Sequence, residues 1–211
     1  MSRPRVLLAD DHRIVAEGLK SLLEPEFELI EIVENGRALV DATRRVRPDV
    51  IVADISMPEL NGIDALMLLK RDDPDVRVVF LTMHRDVNYA RRAIEAGALG
   101  FVLKHAAARE LVLALRAALC GKTFISPAFA DDVLRAMKSG TQSVTDRGEA
   151  LTVRQREILQ LVAEGCTAKE VGKRLGLSAR TVEFHKYRMM ESLCVRTNAE
   201  LVQFALRNGV V

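Results

Sequence analysis

The most constraining feature of this chain is a rhythm in its first 125 residues. Short apolar runs at 5–9, 29–33, 50–53, 78–81 and 99–103 alternate with longer segments whose apolar residues fall at helical spacing, at 12–23, 37–46, 63–71, 88–95 and 107–119. The runs Val50-Ile-Val-Ala53 and Val78-Val-Phe-Leu81 show no polar alternation, as expected of strands buried on both faces. Five such βα units predict a doubly wound, five-stranded parallel sheet with helices on both sides.

The pattern then changes. Residues 127–138 read as a helix, and 139–148 (SGTQSVTDRG) as a polar, glycine-containing linker. Only helical patterns follow. Thr152-x-x-Gln155, Thr167-x-x-Glu170 and Thr197-x-x-Glu200 have capping-box spacing, Ser178 is a further N-cap, and Gly165 and Gly176 stand where helices should stop. Helices are expected at 152–163, 168–175, 179–193 and 198–208. The predicted organisation is a first domain at 1–125, a connection with a helix at 126–147, and an all-α domain at 148–211.

Composition narrows the function. The 211 residues are 49% hydrophobic and 28% charged, enough apolar material for two small cores. Aromatics are 4% with no Trp, which argues against carbohydrate platforms built on stacked rings. No apolar run reaches the ~18 residues of a membrane span. Asp10 and Asp11 interrupt the first apolar run, so no secretory signal is expected. Three scattered Cys predict neither a disulfide framework nor a zinc site, and point to a reducing cytoplasm. Residues 147–211 carry 11 Lys and Arg against 7 Glu, a net +4, while the remainder is −2 (20 basic, 22 acidic). A basic C-terminal part suits a polyanion, although an ordinary solvated surface can carry the same balance.

In an open α/β sheet, chemistry sits at the carboxyl ends of the strands. Here those ends carry Asp10 and Asp11 (strand 1), Asp54 (strand 3), Thr82 (strand 4) and Lys104 (strand 5). Packed carboxylates repel one another unless a cation intervenes. Oxygen ligands favour Mg²⁺. A carboxylate beside that ion can attack a phosphoryl group. Thr82 can donate a hydrogen bond to a phosphoryl oxygen, and Lys104 can supply a charge.

With DISMPELNG (54–62), LTMH (81–84) and GFVLKH (100–105), residues 3–120 resemble the receiver domain of two-component response regulators, a flavodoxin-like fold. The resemblance implies that Asp54 is the phosphoacceptor. It makes Asp10, Asp11, Asp54 and the Ser56 carbonyl the Mg²⁺ ligands, with Asp11 a direct one. Thr82 and Lys104 take the switch hydroxyl and lysine positions. Phe101 takes the aromatic position that swings inward on activation; read alone, it is core. Ser56 and His84 occupy positions that tune dephosphorylation in the family. His105 stands where the family often has Pro after a cis peptide.

The segment LTVRQREILQ through TVEFHKYRMM reads as a compact helical unit. Gly176-Leu177-Ser178 supplies the tight turn of a helix-turn-helix, and the following helix would present its first turns to the major groove. Residues 148–208 resemble the LuxR-type helix-turn-helix. By that resemblance Thr181, Glu183, Phe184, Tyr187 and Arg188 lie on the groove face, and Lys169, Arg180, His185 and Lys186 contact phosphates. Glu183 stands where many members carry a basic residue. It either accepts from cytosine N4 or pairs sideways with Arg180 or Lys186. The last helix, with Leu201, Val202, Ala205 and Leu206, forms the dimer contact in that family.

Together the two halves resemble the NarL/FixJ class of response regulators. The resemblance implies a cytoplasmic transcriptional regulator that is not an enzyme beyond its own phosphorylation and dephosphorylation. A sensor histidine kinase or small phosphodonor would load Asp54, and homodimers would bind double-stranded DNA. Two rival readings of these residues exist. A haloacid-dehalogenase phosphohydrolase needs an Asp-x-Asp after strand 1, where this chain has Asp10-Asp11-His12. A DNA-binding protein with an unphosphorylated receiver has no use for the full set of five pocket residues.

Overall fold

The computed structural model describes residues 2–83, 87–139 and 151–210. The chain divides into two compact units, Met1–Gly140 and Thr141–Val211.

The first unit runs β1 (Arg5–Ala9), α1 (Arg13–Leu23), β2 (Glu28–Val33), α2 (Gly36–Val46), β3 (Val50–Ala53), α3 (Gly62–Asp72), β4 (Val78–Thr82), α4 (Val87–Glu95), β5 (Gly100–Leu103), α5 (Ala107–Leu119), β6 (Phe124–Ile125) and α6 (Pro127–Ser139). The sheet is wholly parallel, in the order β2-β1-β3-β4-β5-β6. The expected five strands are therefore corrected to six. The sixth has two residues, too few to show a period in sequence. It forms because α5 ends at Cys120 and the chain turns back through Gly121 (φ 69°). The returning strand pairs Gly100 with Phe124 and Phe101 with Ile125, covering the open edge of β5.

Strand alternation divides the core. Leu7, Ile51, Phe80 and Phe101 face one layer with α2, α3 and α4. Val6, Val52, Leu81 and Val102 face the other with α1 and α5. The strand residues of both layers are buried, which explains the uninterrupted apolar strands. The helix expected within the connection belongs to the first layer: Phe129 and Val133 of α6 are buried in its core. The polar segment 139–148 lies outside the described residues except Ser139.

The second unit contains α7 (Val153–Ala163), α8 (Ala168–Leu175), α9 (Ala179–Ser192) and α10 (Asn198–Arg207). Thr152 with Gln155 and Thr167 with Glu170 form complete capping boxes. Thr197 caps α10 by accepting from the Glu200 amide, but Glu200 reaches back one residue further, to the Arg196 amide at 2.6 Å. The Gly176 φ of 67° closes α8 into the turn. A Cβ on Gly172 would lie 2.6 Å from the Leu177 carbonyl oxygen, so this helical glycine lets the turn pack close. Ile158, Leu161, Val171, Val182, Met189, Leu193 and Leu201 close a single core.

Candidate functional site

Strand register builds the pocket. β1 pairs with β3 so that Ala9 opposes Ala53, which brings Asp10 and Asp54 side by side past the strand ends. The Asp54 amide donates to the Ala9 carbonyl at 2.8 Å. Behind Asp54 the chain is tightly folded. A Cβ on Gly62 would lie 2.3 Å from the Asp54 carbonyl oxygen, and the Asn61 side chain caps α3. β5 ends at Leu103, and a 3-10 turn (Lys104–Ala106) follows.

The Lys104 ammonium lies 2.6 Å from Asp54 Oδ2 and 2.8 Å from Asp10 Oδ2. All three side chains are buried, at 7%, 6% and 1% exposure, so these contacts are little screened by solvent. Asp54 Oδ1 accepts from the Ile55 amide at 2.6 Å, and Asp10 Oδ1 from the His12 amide at 2.9 Å. Burial pushes the Asp54 carboxyl above its ordinary range; its bond to Lys104 opposes this without cancelling it. Burial pulls Lys104 down, but its bonds to Asp10 and Asp54 win and hold it above the usual lysine range. This lysine is a firm cation.

Asp11 completes the cluster. Carboxylate oxygens of Asp10, Asp11 and Asp54 and a ring nitrogen of His12 lie within 4.8 Å of one another. Asp11 Oδ1 is buried and accepts no hydrogen bond, although His12 Nδ1 lies 2.8 Å away. Three carboxylates against one ammonium leave a formal charge of −2 when all are ionised. An orphaned oxygen in a doubly negative, oxygen-rich pocket fits a metal ion, and a hard divalent one best.

The structure thus brings together Asp10, Asp11, Asp54 and Lys104. Thr82 is the fully buried last residue of β4 at the same sheet edge, and Ser56 follows two residues after Asp54. Phe101 lies away from this edge, wholly buried in the core and stacked on Phe129. His84 falls outside the described residues. His105 follows a trans bond, since no described peptide is cis. His12 was missed in sequence; its adjacency to the acidic pair was the available signal.

In the second unit, Val182 and Met189 are the buried side of α9. Phe184 and Tyr187 are 61% and 68% exposed, with no role in the core. Arg180, Glu183 and Arg188 are also exposed, Thr181, His185 and Lys186 half-buried, and Lys169 is exposed on α8. Glu183 pairs sideways with Lys186 at 2.7 Å. Ser178 caps α9 by accepting from the Thr181 amide at 3.0 Å.

Residues 6–116 match the response regulator receiver domain family, and residues 149–205 match the bacterial regulatory proteins of the luxR family. The chain belongs to the LuxR-type response regulators. This regulator is 34% identical to the transcriptional regulatory protein MctR of Rhizobium johnstonii, over 98% of this chain and 95% of that protein. It is 35% identical to the transcriptional regulatory protein LiaR of Bacillus subtilis, over 98% and 99%. Among solved structures it is similar to an RcsB–DNA complex, with TM-score 0.59, 28% identity and coverage of 98% and 99%. It is likewise similar to RcsB of Salmonella typhimurium, with TM-score 0.65, 26% identity and 99% of each chain covered. The regulator is a two-domain DNA-binding transcription factor with a receiver, and no helix among its described residues is long and apolar enough to cross a membrane.

Proposed function

We propose that Asp54 is the phosphoacceptor and that its phosphorylation controls dimerisation and sequence-specific DNA binding by this response regulator. The single observation that carries this reading is the buried Lys104–Asp54–Asp10 constellation beside the orphaned Asp11 oxygen. Asp10, Asp11, Asp54 and the Ser56 carbonyl would hold Mg²⁺. That ion supplies charge neutralisation for an incoming phosphoryl group.

The donor is a sensor histidine kinase or a small acyl phosphate. An Asp54 carboxylate oxygen attacks phosphorus, the bond from phosphorus to the donor's nitrogen or oxygen breaks, and the leaving group departs with its electron pair. Lys104, already ionised and within reach of Asp54, stabilises the new oxygens. Thr82, at the end of the neighbouring strand, donates to one of them. The phosphoryl group carries about −1.5 to −2 charge, enough to reorganise the loops after β4 and β5. Burial disfavours the Asp54 anion, which keeps this carboxylate poorly solvated and ready for an electrophile.

In the second unit the first turns of α9 enter the major groove. Thr181, Glu183, Phe184, Tyr187 and Arg188 face bases, and Lys169, Arg180, His185 and Lys186 face phosphates. Leu206, 60% exposed on α10 beside buried Leu201 and Ala205, is the apolar contact for a second copy. A two-fold dimer would match two half-sites. The protein works in the cytoplasm, with no turnover beyond its own phosphorylation cycle.

The test is intact-mass spectrometry with Mg²⁺ and acetyl phosphate, beside Asp54→Ala. One added phosphoryl group that the variant lacks is the expected result. An unmodified wild type that also ignores phosphorylated kinase would remove the reading.

A further inference from the structure

We propose that α6 is the output lever of the receiver, moved by repacking of Phe101 against Phe129 and anchored through Ser126 to the end of β5, where the turn that carries Lys104 begins. This rests on the phosphorylation reading above and names the element that reads it out.

Phe101 is 0% exposed and Phe129 is 2% exposed; their rings stack with centroids 5.8 Å apart and planes at 25°. Val133, one turn further along α6, is also fully buried in the same layer. The flank that an aromatic on β5 would otherwise turn towards is therefore filled by α6. Close-packed side chains do not change rotamer one at a time, so a move of Phe101 must displace Phe129 or be prevented by it.

The backbone ties are as direct. Ser126 precedes α6. Its amide donates to the Phe101 carbonyl at 2.9 Å. Its hydroxyl accepts from the Leu103 amide at 3.2 Å and donates to the Glu110 carboxylate of α5. Leu103 is adjacent to Lys104, so one buried serine joins the root of α6 to the turn that carries the pocket's cation. The other end of α6 is Ser139, from which the chain continues into the DNA-binding unit. A shift of Lys104 towards a phosphoryl group pulls on this serine, and a shift of Phe101 pushes on Phe129. Both forces meet in one helix that leads out of the domain. Two discrete packings of such an element, biased from the pocket, are the physical content of a switch.

The alternative is that α6 only closes the core layer over Phe101. Hydrogen exchange of the full-length chain, with Mg²⁺ and with or without acetyl phosphate, distinguishes the two; intact mass records the phosphorylated fraction. Phosphorylation is expected to speed exchange of amides within 127–139 by at least about fivefold, the lower end of typical allosteric coupling. Phe129→Leu keeps apolar volume and loses the ring stack, and Ser126→Ala removes the hydroxyl ties. Both variants should be phosphorylated like the wild type. Their phosphorylation-dependent gain in affinity, read on duplexes selected with the wild type, should fall below about twofold. Phe129→Tyr, which keeps the stacked ring, should restore it. A phosphorylated wild type with unchanged α6 exchange overturns the proposal alone, as do variants that keep the wild-type gain. A wild type that no donor phosphorylates overturns the phosphorylation reading and this proposal with it.

Discussion

Replacing Lys104 by Met removes the ammonium that sits within 2.8 Å of both Asp10 and Asp54 while keeping much of its stem volume. Two buried carboxylates then face each other without a cation. Breaking a buried ion pair by removing one partner costs about 3–5 kcal/mol. The low exposure of all three groups means that solvent does little to reduce this. For a unit of this size, each kcal/mol corresponds to roughly 3–5 °C in Tm, so a loss of about 10–20 °C is expected near pH 8 in EDTA. The sign of the pH dependence follows from Asp54. Its folded-state pKa already lies above its unfolded value, and removing Lys104 raises it further. An acid whose pKa is raised by folding favours the folded state when protonated. The deficit of Lys104→Met is therefore largest at high pH and shrinks as pH falls into the carboxylate range. In the wild type, Lys104 has the same sign in a higher pH window: stability from its raised pKa is complete below the unfolded lysine value and lost only as pH rises through the folded one. Millimolar Mg²⁺ should return part of the loss, by about 2.7 kcal/mol at one hundred times its Kd. Thermal unfolding followed by circular dichroism at pH 8 and pH 5, in EDTA and in Mg²⁺, measures all of this. A variant as stable as the wild type at pH 8 in EDTA, or equally destabilised at both pH values, would refute the electrostatic account of the pocket.

Other expectations concern the second unit. Gly172→Ala gains about 1 kcal/mol of helix propensity but sets a methyl 2.6 Å from the Leu177 carbonyl oxygen. Overpacking at about 1–3 kcal/mol wins, so the melting temperature of this unit should fall, and an increase would contradict the close turn. Thr152→Ala loses the hydroxyl that accepts from the Gln155 amide, while the backbone amide at 152 keeps its bond to the Gln155 side chain, and should cost about 1 kcal/mol by urea titration; no change would mean the cap is solvent-replaceable. Glu183→Gln releases Lys186, so DNA affinity at low salt should rise and the log K against log salt slope should steepen by about 1. A fall in affinity confined to certain sequences would instead assign Glu183 to base reading. Arg188→Ala should weaken binding by about 1–3 kcal/mol and relax one base position if it reads a guanine, whereas a uniform loss across sequences would mark a phosphate contact.

Much of this protein follows from local chemistry that a sequence displays. The apolar runs and capping residues are short-range signals, so the βα alternation, the helices of the DNA-binding unit and their stops at Gly165 and Gly176 were legible before any coordinates. The pocket residues could be picked out as candidates too, because parallel strands must place their carboxyl ends on one edge, and Asp10, Asp11, Asp54, Thr82 and Lys104 each stand at or just past the end of a strand. Tertiary structure decided the rest. β6 has two residues and exists only because β5 offers an unpaired edge. α6 is amphipathic in sequence, but whether Phe129 meets solvent, another domain or Phe101 depends on what lies beside β5. Which carboxylates share Lys104, and which oxygen of Asp11 is left without a donor, depend on ångström-scale register between strands about 45 residues apart. Periodicity reports which face of an element is apolar; it carries no information on what that face will touch, and that is the part of the mechanism that the packed chain alone supplies.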